Sequence, residues 1–123
     1  MLRNFFLAAT AVTALFGLTA CAPAAGTPAP TAVGTDTVIL DVRTPEEFDA
    51  GHLEGATLLD FNSGDLAAAL PELDPSAEYV VYCRSGNRSG QAIALMEQAG
   101  FERLTNLGSL EQAAEATGIP VIR

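Results

Sequence analysis

Lysine and tryptophan are absent from this chain, histidine occurs once and cysteine twice. With 15 Asp and Glu against 6 Arg, the net charge is −9. A surface of that sign is repelled by phosphate backbones, so no nucleic-acid partner is expected. The one histidine, His52, has no second ligand at a metal-like spacing, and no metal site is expected either. At 123 residues there is room for one small domain, not two, and no internal repeat is visible. The longest apolar stretch, residues 5–20, falls short of the roughly 20 residues that span a hydrocarbon core comfortably.

That stretch has a different reading. Arg3 and the free amino group precede it, and Leu18-Thr19-Ala20-Cys21 closes it with small residues, the pattern of a secretory signal. Leu-Thr-Ala-Cys resembles the lipobox of bacterial lipoproteins. The resemblance implies that residues 1–20 are a lipoprotein signal peptide, cut before Cys21, which is lipidated with acyl chains such as palmitate and becomes the new N-terminus. Several chains on one residue anchor stably, so an exported protein held on a membrane, at its periplasmic or extracellular face, is expected. Residues 22–35, APAAGTPAPTAVGT, carry no charge and a single larger apolar residue, Val33. Residues 21–35 therefore read as the lipidated cysteine and a flexible linker, and residues 36–123 as the folded domain. Without residues 1–20 the chain has 5 Arg and a net charge of −10.

Within the domain, strands and helices alternate. Residues 37–42, TVILDV, form a β-branched run suited to a buried strand. Thr44, Pro45 and Glu47 then supply the cap, first position and capping-box acid of a helix that Gly51 ends. A second strand is expected at 56–60 and a short helix at 65–70, capped by Ser63 and ended by Pro71. A third strand follows at 78–82, a helix at 88–99 with Ala92, Leu95, Met96 and Ala99 on one face, a weak strand at 103–106 and a helix at 109–117. Short loops between alternating elements imply a mostly parallel sheet covered by helices on both faces. Ligands of such sheets bind beyond the carboxyl ends of the strands.

At that edge lies Cys83-Arg84-Ser85-Gly86-Asn87-Arg88-Ser89, running from the third strand into the longest helix. Once Cys21 is lipidated, Cys83 is the only thiol. Loop N–H groups and the helix N-terminus converge on such a sulfur and favour thiolate. Arg84 and Arg88 bring two of the five remaining arginines into this one loop, a local anion site in an acidic protein.

These residues resemble the rhodanese family of sulfurtransferases. The matching pieces are Leu40-Asp41-Val42-Arg43 with Pro45-Glu46-Glu47-Phe48, then Gly51-His52-Leu53-Glu54-Gly55-Ala56, the Cys83 loop with Ser89-Gly90-Gln91-Ala92, and Asn106-Leu107-Gly108. The pattern also resembles the small, single-domain exported members of the phage shock protein E kind, whose loop likewise runs into Ser-Gly-Gln-Ala. The resemblance implies a rhodanese-like α/β fold and a two-step transfer. Cys83 attacks the outer sulfur of thiosulfate, sulfite leaves, and the persulfide rests among the N–H groups of residues 84–89 until a thiol or cyanide takes the sulfur. Arg84 or Arg88 binds the sulfonate end. Asp41, Arg43 and His52 are possible supporting residues, with ordering of strand ends as their plainer role. No metal or organic cofactor is implied. Related phosphatases place five residues between cysteine and arginine; the four between Cys83 and Arg88 suit a sulfane sulfur better than phosphate or arsenate. The tryptophan that many members carry after the last strand is missing, as it is from the small exported ones. The alternative is a binding or redox-sensing module on the same scaffold, with Cys83 an exposed thiolate that performs no sulfur-transfer turnover.

Overall fold

The computed structural model describes residues 31–123. Strands β1 (Val38–Asp41), β3 (Thr57–Leu58), β4 (Tyr79–Cys83) and β5 (Leu104–Ser109) form a parallel sheet in the order β3-β1-β4-β5. Helix α1 (Pro45–Ala50) follows β1, and α2 (Asp65–Ala69) follows β3. Helices α3 (Asn87–Gln98) and α4 (Leu110–Thr117) follow β4 and β5. This is the mostly parallel α/β sheet, with helices on both faces, expected from the alternation of strands and helices.

Successive strand residues point to opposite faces, and here both faces are covered, which is why β4 is apolar throughout and β1 is apolar up to Asp41. Leu40, Tyr79, Val81 and Cys83 pack with Leu66 of α2 and with Ala92 and Met96 of α3. Ile39, Val80 and Tyr82 pack on the other face with Leu53, Leu107 and Ala113 of α4. Cys83 therefore ends the central strand on the face covered by α3.

Several boundaries differ from the expectations. A second, antiparallel ribbon pairs β2 (His52–Leu53) with β6 (Val121–Ile122), segments too short to show a period. Gly64, not Ser63, caps α2; its backbone is left-handed and no side chain caps the helix. The preceding turn is held by Asp60, whose carboxylate accepts the N–H groups of Asn62 at 2.8 Å and Ser63 at 3.4 Å. Strand β5 runs on to Ser109 through an irregularity that sets Asn106 opposite Val81 and Gly108 opposite Tyr82. The extra residue between them, Leu107, is thereby buried in the second core. The capping box is formed as expected, with Thr44 Oγ1 accepting from the Glu47 N–H at 3.3 Å and Glu47 Oε2 accepting from the Thr44 N–H at 3.0 Å.

The signal peptide, Cys21 and linker residues 21–30 lie outside the described residues. The rest of the expected linker is engaged with the domain: the Thr31 N–H donates to the Ala116 carbonyl at 2.7 Å, and Val33 packs against the second core. Among the described residues, no helix is long and apolar enough to cross a membrane.

Candidate active site

The fold brings Cys83, Gly86 and Ser89 together at the carboxyl end of β4. Gly86 adopts the left-handed conformation that glycine alone takes at little cost, with φ +92°. Its N–H turns back to the Cys83 sulfur at 2.9 Å. A Cβ at Gly86 would stand 3.3 Å from Gly108 Cα, so loop and β5 meet backbone to backbone. Helix α3 begins at the next residue with no side-chain cap, leaving its first N–H groups to the loop.

Burial pushes the Cys83 thiol up; the hydrogen bond with the Ser89 side chain and the N–H groups of Ser89, Ser85 and Gly86 outweigh it, and the net shift is down. The cradle is thus largely main chain, as the loop's composition implied. One expectation fails: Cys83 is 0% exposed, so the exposed thiolate on which the redox-sensing alternative relied is not what the fold presents.

The two loop arginines are not equivalent. Arg88 is bound on both guanidinium arms by Glu47 of α1, at 2.8 and 2.9 Å. Its charge is largely balanced before any substrate arrives. Arg84 is exposed and makes no side-chain hydrogen bond among the described residues. Asn87 turns away along the helix and accepts from the Gln91 amide at 2.7 Å; the exposed Ser85 serves the sulfur through its main chain.

Arg88 beside it holds the Glu47 carboxyl at about 2, against an ordinary 4.5, although burial opposes this. Between those values the unfolded chain binds more protons than the folded one, so stability rises with pH. The contribution is complete above about 4.5 and is lost as pH falls toward 2. With Arg88 and Glu47 side chains 19% and 24% exposed, solvent screening reduces it to about 1 kcal/mol. Glu47→Gln is expected to lose that stability near pH 7 and to have a flatter acid dependence, measured by urea unfolding near pH 7 and near pH 3.

Asp41, Arg43 and His52 do not reach the sulfur. Arg43 donates through Nε and Nη2 to the buried Asp41 carboxylate at 2.6 to 3.1 Å, donates to the Gly51 carbonyl at 2.6 Å, and lies over the Tyr82 ring. His52 stacks on Phe48 and donates Nδ1–H to the Phe48 carbonyl at 2.8 Å. All three brace the polypeptide around α1. Two residues escaped the sequence reading as site residues. Glu47 was visible only as a helix cap, and Asn106, which binds Ser89 and Gly86, only as part of a family motif. Among the described residues no cluster of His, Cys, Asp and Glu could hold a metal. A cavity of about 600 Å³ lies at the opposite edge of the sheet, lined by Asp36, Asp74 and Glu78 with Arg103, which is paired to Glu78, so acids outnumber the one cation there.

A model of the Rhodanese-like domain matches residues 31–116. The chain belongs to this family. A sulfurtransferase of Allochromatium vinosum is 33% identical over 87 residues, covering 71% of this chain and 79% of the relative. The thiosulfate sulfurtransferase PspE of Escherichia coli is 31% identical over 77 residues, covering 61% and 72%. A probable adenylyltransferase/sulfurtransferase, MoeZ of Mycobacterium tuberculosis, is 40% identical over 77 residues, but the match spans only 19% of that protein. Among solved structures, the rhodanese-like domain of an Anabaena protein superposes with TM-score 0.61 at 30% identity, covering 71% of this chain and 99% of that one. A rhodanese with anions from E. coli gives 0.58 at 28% identity, covering 71% and 98%. In sequence the domain is therefore similar to proteins named sulfurtransferases, and in fold to rhodanese domains.

Proposed function

We propose that this rhodanese domain transfers sulfane sulfur from thiosulfate to a thiol or cyanide through a persulfide on Cys83. The observation that carries the reading is the Gly86 N–H, 2.9 Å from a buried sulfur, within a loop whose other N–H groups also favour its anion. The Cys83 thiolate attacks the outer sulfur of thiosulfate. The sulfur–sulfur bond of the donor breaks, its electron pair leaves with sulfite, and Cys83 holds the transferred sulfur as a persulfide anion. Cyanide or a thiolate then attacks that outer sulfur, and the Cys83 thiolate departs. The N–H groups stabilise negative charge at each stage without rearranging their own dipoles. Arg84, exposed beside the loop, is the arginine suited to the sulfonate, because Arg88 is engaged with Glu47. Since Cys83 is covered, the transfer requires the loop to open to the donor.

The same reading places the domain outside the cytoplasm on a lipid anchor at Cys21, supported by the charged start, apolar stretch and Leu18-Thr19-Ala20-Cys21 of the sequence. One preparation tests the chemistry: the full-length Cys21→Ser chain, whose only thiol is Cys83, mixed with thiosulfate, weighed intact, then challenged with cyanide. The expected result is a gain of one sulfur atom that disappears as thiocyanate is released. No gain across a range of thiosulfate concentrations overturns the proposed donor. Fractionated bacteria producing the parent and Cys21→Ser chains test the anchor, which fails if both sediment with membranes.

A further inference from the structure

The Asn106 side chain, on β5, reaches the Cys83 loop at Gly86 and Ser89. Its Oδ1 accepts the Gly108 N–H at 2.9 Å, and its Nδ2 donates to the Gly86 carbonyl at 3.3 Å. A backbone N–H only donates and a carbonyl only accepts, so these two bonds fix which end of the amide is oxygen. The Ser89 hydroxyl, 2.8 Å from the same Oδ1, therefore donates to it. A hydroxyl has one proton. While that proton points to Asn106, Ser89 offers the Cys83 sulfur, 3.5 Å away, only a lone pair. A lone pair suits a thiol S–H and opposes an anion.

We propose that Asn106 is a positioning residue for Cys83, competing with the sulfur for the single Ser89 proton. In the thiol state Ser89 donates to Asn106 and receives the Cys83 S–H. When the thiol proton leaves to solvent, the hydroxyl turns and donates to the sulfur, while Asn106 Oδ1 keeps the Gly108 N–H. Asn106 thereby influences ionisation of the nucleophile without touching it. The catalytic meaning of this inference rests on the reading of Cys83 as sulfur carrier, although the proton competition concerns the thiol alone. The charged groups on the elements packed around the loop are Arg88 of α3 with its partner Glu47 of α1, Asp60 before α2, the more distant Asp41–Arg43 pair at the end of β1, and Arg84 on the loop itself. None of them is altered in the variants below.

The test follows the rate of Cys83 alkylation by iodoacetamide against pH in the full-length Cys21→Ser chain, alone and with Asn106→Ala, Ser89→Ala or both. Asn106→Ala is expected to lower the midpoint by about half a pH unit, raising the rate on the acid side about threefold. That gain is expected to vanish when Ser89→Ala is added. A raised or unchanged midpoint, the result expected of a merely structural brace, overturns the proposal, as does a lowering that survives Ser89→Ala. Should Asn106→Ala not fold, the side-chain amide resonances of Asn106 are followed through the Cys83 titration. They are expected to move in the parent and stay still in Ser89→Ala; movement in both, or in neither, overturns the proposal. Failed sulfur loading with the alkylation pattern intact counts against the proposed function alone, and the reverse counts against Asn106 alone.

Discussion

Cys83→Ser is expected to give a folded protein that takes no sulfur from thiosulfate, a loss of at least about a thousandfold in transfer. The physical basis is the difference between the two side chains as nucleophiles. A thiol below its ordinary pKa supplies thiolate near neutral pH, whereas a serine hydroxyl there stays protonated and has no neighbouring base to activate it. Serine is close to cysteine in size, and the Gly86 N–H that meets the sulfur can meet an oxygen. The main-chain cradle should therefore survive, which separates binding from chemistry. Sulfate and thiosulfate are expected to raise the melting temperature of parent and variant alike, compared with chloride at equal ionic strength. An anion present at ten times its dissociation constant adds about 1.4 kcal/mol by mass action. A variant that still gains sulfur would show that Cys83 is not the carrier. If neither protein responds to the anions, the loop is not an anion cradle, whatever its sulfur does.

The features legible in the sequence were those set by neighbouring residues. The β-branched runs around Val38 and Val80, the Thr44 capping box and the helix stops are consequences of local sterics and local hydrogen bonds. The Cys83 loop was legible for the same reason, because strand, glycine and helix start follow one another directly. What was not legible depends on residues far apart in the chain. Glu47 and Arg88 are 41 residues apart, and nothing local marks Glu47 as the group that balances an arginine of the Cys83 loop. Asn106 gains its role from an irregularity in β5 that sets Gly108 against Gly86, a feature of strand register rather than of composition. The β2–β6 ribbon has two residues on each side and forms because α4 brings the chain end back past His52. Burial of Cys83 likewise follows from packing beneath α3, and that burial weakens the exposed-sensor alternative that the sequence alone had left open.

Arg43→Ala is expected to be the most destabilising of the substitutions considered, costing about 3–5 kcal/mol in urea unfolding. Asp41 and Arg43 are 0% and 5% exposed, so removal of the guanidinium leaves a carboxylate buried without its counter-charge. The Arg43 main-chain N–H, 3.0 Å from Asp41 Oδ1, would remain, but one neutral donor does not replace a two-armed ion pair. A small domain has only about 5–15 kcal/mol in total, so the variant stands near the edge of folding. Arg43→Lys should recover part of the loss by restoring charge without the planar fork. A double variant, Asp41→Leu with Arg43→Met, should recover more, because desolvating the pair is itself costly. A cost for Arg43→Ala under about 1 kcal/mol would show that the pair is solvated in practice. The consequence extends to the sulfur. Arg43 stands just before α1 and binds the Gly51 carbonyl just after it, so it clasps both ends of that helix. Glu47, within α1, holds Arg88 at the start of α3. A buried pair remote from the chemistry thus keeps in place the acid that neutralises one loop arginine and leaves Arg84 as the cation available to an incoming anion.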